Sequence, residues 1–61
     1  MKIYVDLPDY DRLVEYHCEI LPKMEQEISI NSVLYYVVDI SFTDVDSNEL
    51  YPVLHLGKIP S

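Results

Sequence analysis

Apolar and polar side chains alternate strictly at the start of the chain. Ile3, Val5 and Leu7 fall on one face, with Lys2, Tyr4 and Asp6 on the other. A period of two predicts a strand over residues 2–7. Pro8, Asp9, Tyr10 and Asp11 then supply turn chemistry, because proline presets φ and aspartate bonds its own backbone. Residues 12–20 fit two patterns. As a strand they put Val14, Tyr16, Cys18 and Ile20 inward; as a helix capped by Asp9 they make a stripe of Tyr10, Leu13, Val14, His17, Cys18 and Leu21. The strand is favoured because it forms a hairpin with residues 2–7, and a short helix within 9–20 is the alternative.

Leu21-Pro22 ends that element, and Lys23 to Gln26 form a polar connection. A short strand is expected over 27–30, followed by Asn31-Ser32 as a two-residue turn that tolerates positive φ. Residues 33–42 give the longest strand. The expected core face carries Leu34, Tyr36, Val38, Ile40 and Phe42, leaving Val33, Tyr35, Val37, Asp39 and Ser41 outward. Residues 43–49 read as a polar loop and 50–56 as the last strand, which Pro52 makes an edge or a bulged strand and Gly57 ends. The sum is an all-β single domain over residues 1–61: a five-stranded, strongly bent antiparallel sheet or small barrel.

Composition strengthens the strand reading. Val, Ile, Thr, Tyr and Phe make up 21 of 61 residues, and there is no Ala or Trp. These side chains suit a pleated, half-buried surface, whereas close helix packing normally draws on Ala. So short a chain leaves only ~60% of its unfolded surface to bury, with little room for a substrate cleft. The longest uncharged apolar run is too short for a membrane span, and Asp6 and Asp9 interrupt any signal-peptide core. One cysteine, Cys18, suits a reducing compartment, and a cytoplasmic location is expected.

The middle of the chain, LPKMEQEISINSVLYYVVDISF, resembles small acidic bacteriophage-encoded proteins of Src-homology-type β-barrel character. The residues that carry the resemblance are Leu21-Pro22-Lys23, Ile28, Ile30, Asn31, Tyr36, Val38 and Asp39, and the closing LYPVLHLGKI is similar to the final strand of such proteins. It covers about residues 20–59. Glu25 and Ser32 stand where that pattern has glycine. The resemblance implies a small barrel, phage origin and action on a protein of the bacterial host, in the cytoplasm of that cell.

Charge decides among the candidate chemistries. Eleven acids against four bases give −7, which argues against direct binding to a phosphate backbone. Residues 6–27 hold seven acids and two bases, and 39–49 hold four acids and none. Acids at i and i+2 of a strand sit ~6.6 Å apart, close to two phosphate steps of one DNA strand, so nucleic-acid mimicry is one use of this acidity. Solubility alone is the other. Asp44, Asp46 and Asn48 match the first three ligand positions of a calcium loop, but Glu49 and His55 stand where that loop needs glycine and a bidentate glutamate. His17 and Cys18 are adjacent on a strand and cannot share a proton. No catalytic, cofactor or metal residue is therefore expected.

Small size, acidity and an outward Tyr/Val face (Val33, Tyr35, Val37) are taken with what the phage resemblance implies. Together they give the expectation of a non-catalytic protein that binds and inhibits a host protein with a basic or nucleic-acid-binding surface, a nucleic-acid-handling or defence protein. Asp39, Asp44, Asp46 and Glu49 are the expected charged contacts, with Tyr35 and Tyr51 as apolar anchors. The alternative is a homo-oligomeric assembly module in which the Tyr/Val face makes self-contacts, and a homodimer would also relieve a small core.

Overall fold

A computed structural model describes residues 1–44 and 48–59. It is all-β, with no helix among those residues. The strands are β1 (Lys2–Asp6), β2 (Val14–His17), β3 (Glu27–Ile30), β4 (Val33–Asp44) and β5 (Leu50–Lys58). They form one curled sheet in the order β2-β1-β5-β4-β3, a half-barrel. Within residues 12–20 only Val14–His17 forms a strand, which pairs antiparallel with β1 and sets Ile3 opposite Tyr16; Ile20, expected inward, lies beyond it and is exposed.

The sheet is mixed rather than wholly antiparallel, because β5 returns between β4 and β1 and runs parallel to β1. That makes β5 the central strand, not the edge strand that Pro52 suggests. The proline is tolerated because the β1 pairing begins only at Val53, so at Pro52 the strand has β4 alone beside it. β5 also continues through Gly57 to Lys58. A Cβ on Gly57 would lie 2.9 Å from the Tyr36 ring and 3.0 Å from Val38, so its hydrogen leaves the room that the Tyr36 ring occupies.

The core lies on the concave face. Ile3, Val5, Leu7, Ile28, Tyr35, Val37, Leu54 and Leu56 are buried, and Val14, Tyr16, Cys18, Leu21, Ile30 and Ile40 pack against them. Residues 18–26 run from one sheet edge to the other; Cys18 and Leu21 close on the core and Pro22 is buried. β4 holds twelve residues, about 40 Å at ~3.3 Å each, which accounts for the 39 Å long axis of the molecule.

The face assignment of β4 corrects the sequence reading. Tyr35 and Val37 are buried at 4% and 0% exposure, while Leu34, Tyr36 and Val38 are exposed. Ile28 of β3 sits opposite Tyr35, and Leu56 of β5 opposite Val37, so the odd positions share the core face. The register then shifts between Val37 and Asp39, a β-bulge with Val38 as the extra residue. Beyond it the even positions turn inward, with Ile40 opposite the core residue Leu54 and packed against the core.

Candidate interaction surface

The convex face of the sheet carries two unlike halves. On one side, charged and aromatic groups interlock across β2, β1 and β5. Glu15 Oε2 lies 2.9 Å from His17 Nε2, and Lys2 Nζ stands 3.9 Å from Glu15 Oε1. The His17 hydrogen bond, helped by the Lys2 charge, holds the Glu15 carboxyl below its ordinary range. Lys2 also stands 5.0 Å from the centre of the Tyr51 ring, and Tyr4 meets Tyr51 edge to face at 5.5 Å. Val53, in register with Tyr4 and Ser41, is buried at this face.

Between the halves runs a hydrogen-bonded chain over three strands. Asp6 Oδ2 is 2.9 Å from His55 Nδ1, and His55 Nε2 is 2.8 Å from Ser41 Oγ. The order matches a carboxylate, a base and a nucleophile. Turnover would also need donors for a developing oxyanion. The same three side chains, one each from β1, β5 and β4, tie these strands together across the convex face.

The other half is apolar. Leu34, Tyr36 and Val38 project from successive outward positions of β4 at 45%, 37% and 48% exposure, beside Gly57. Glu27 and Ser29 of β3 face Tyr36 and Leu34 across the strand pair, and Asp39 follows at the bulge. These three apolar residues were expected in the core. At the far end of β4 and β5, Phe42 and Leu50 turn to the concave side, where β1 no longer reaches, and are 62% and 68% exposed.

The expected contact residues separate accordingly. Asp44 and Glu49 are exposed and lie at the same end of the β4–β5 pair. Asp39 is exposed but lies further along β4, its Oδ1 accepting the Ile40 N–H at 2.9 Å. Asp46 lies outside the described residues. Tyr51 is half-buried on the outer face against Tyr4. Tyr35 belongs to the core and cannot be an exposed anchor; the outward tyrosine of that pair is Tyr36.

The acids are spread rather than stacked. Asp9, Asp11, Glu15, Glu19, Glu25, Glu27, Asp39, Asp44 and Glu49 are all exposed. No described strand carries two acids at i and i+2, so the two-phosphate spacing expected for nucleic-acid imitation is not realised on a strand. Of the bases, Lys58 is tied to Asp9 at 2.9 Å, and that hydrogen bond holds its ammonium above its ordinary range. Among the described residues no three His, Cys, Asp or Glu side chains converge on a metal position, and no helix is long and apolar enough to cross a membrane. No family model, curated protein or solved structure matches this chain.

Proposed function

We propose that this chain is a non-catalytic binding protein that inhibits a second protein by covering a basic surface on it. The observation that carries the reading is the Leu34, Tyr36 and Val38 stripe on the solvent side of the sheet, rimmed by Glu27 and Asp39. Folding does not cover these side chains, and an exposed apolar row with a charged rim is what protein interfaces use. Tyrosine suits such a site because its body is apolar and its tip polar. The charge of −7 selects against acidic partners and speeds encounter with basic ones. With the phage resemblance, this points to a host nucleic-acid-handling or defence protein as the target.

Scattered acids support steering and selection more than phosphate-by-phosphate imitation. The test is affinity capture from bacterial lysate, with and without nuclease, at low and high salt. One protein retained despite nuclease and weakened by salt is the expected result. Recovery of bait alone, together with a stable higher oligomer in sedimentation, would overturn it in favour of self-assembly.

A further inference from the structure

β4 has two neighbours over its first part only. Residues 33–36 pair with β3, and Val37 still exchanges backbone hydrogen bonds with Glu25 and Gln26. From Asp39 to Asp44, β5 is its one strand partner among the described residues. Six residues, about 20 Å of strand, thus leave one backbone edge open, and such an edge is a template for another strand.

Two details bear on what could occupy it. The Ile40 N–H donates to the Asp39 carboxylate, and Asp44 puts a second carboxylate at the end of the same stretch. The two faces of the stretch also differ. Ile40 and Phe42 lie on the concave side, with Leu50 exposed beside them; Asp39, Ser41 and Thr43 lie on the convex side.

We infer that the Asp39–Asp44 edge of β4 receives an extended segment of the partner protein as a sixth strand, one that alternates apolar residues with Lys or Arg. Its apolar side chains cover Ile40 and Phe42, and its cations stand beside Asp39, Ser41 and Thr43. A cation that draws off the Asp39 carboxylate releases the Ile40 N–H to the incoming carbonyl. Asp39 is therefore a guard that yields to a basic strand. It stays shut to a neutral strand and to a second copy of this chain, whose own Asp39–Asp44 edge holds two acids and no cation to draw the carboxylate off. The inference rests on the proposed reading of a basic partner and specifies the form of the segment that docks.

The experiment titrates the isotope-labelled full chain with the peptide Lys-Val-Lys-Ile-Lys-Val and follows backbone amide resonances. Shifts at Ile40, Phe42 and Asp44 are expected. A block peptide of the same composition, Lys-Lys-Lys-Val-Ile-Val, should bind about tenfold more weakly, as should a version N-methylated at alternate amides. Asp39→Asn keeps an oxygen for the Ile40 N–H but loses the charge, and should weaken binding at low salt. Equal binding of the block peptide overturns the inference. So does the absence of shifts at Ile40, Phe42 and Asp44. Shifts confined to Leu34, Tyr36 and Val38 overturn the edge while leaving the docking reading intact. Shifts that grow with protein concentration alone would give the edge to a second copy and also overturn it.

Discussion

Glu25, Asn31 and Ser32 have φ of 68°, 52° and 67°, in the left-handed region where a side chain is strained. Asn tolerates it best of the three. Glu25 is held there by the turn that returns the Gln26 N–H to the Lys23 carbonyl at 3.1 Å, while its own N–H donates to the Val37 carbonyl at 2.8 Å. Asn31 and Ser32 make the two-residue link between β3 and β4. The Asn31-Ser32 turn forms without glycine because β3 and β4 fix its ends, and the Glu25 turn because its backbone is bonded to Val37 of β4. Ser32→Gly should therefore raise unfolding stability by about 0.5–1 kcal/mol in chemical denaturation, with strain relief outweighing the added freedom of the unfolded chain.

Glu15 supplies a pH test at the same scale. Its folded pKa is depressed below 4.5, chiefly by the His17 hydrogen bond. A depressed carboxyl contributes stability above its unfolded pKa and loses it as pH falls through the folded one. The melting temperature of Glu15→Gln should thus lie below that of the parent at neutral pH and converge with it in acid, beneath 4.5. A difference that persists unchanged at low pH would assign the effect to packing instead.

At the scale of elements, β4 decides the molecule. A run of Val33, Leu34, Tyr35, Tyr36, Val37 and Val38 is apolar on both faces, so its own periodicity cannot say which face is inside. The answer lay in its partner. A two-residue turn at Asn31-Ser32 sets Ile30 opposite Val33 and hence Ile28 opposite Tyr35. Ile28 and Ile30 are the apolar members of β3, so Tyr35 and Val37 must join them. The Val38 bulge leaves no mark in the pattern, and it returns Ile40 to the core side. Tyr35→Ala should cost about 3–4 kcal/mol, as for other buried aromatics, and Tyr36→Ala under about 1 kcal/mol. Equal losses in the two variants would contradict the faces described here.

At the scale of the molecule, five strands in nearly the expected places were legible because alternation, proline and turn residues are local signals. The parallel β1–β5 pairing was not, since nothing local records which strand a distant one joins. The same limit hid the Asp6, His55 and Ser41 chain, whose members are 14 and 49 residues apart. Among the candidate contacts, the exposure of Asp39, Asp44 and Glu49 was legible from charge alone. Tyr35 and Tyr36 were exchanged because the site depends on the face of β4.

The central claim is that the outward stripe of β4, and not general acidity, holds the partner. The most direct measurement compares capture by the parent chain with capture by Tyr36→Glu plus Val38→Glu, each checked for an unchanged melting temperature, from the same nuclease-treated lysate. Loss of the retained protein with the fold intact is the predicted result. Undiminished capture by the stripe variant would contradict it.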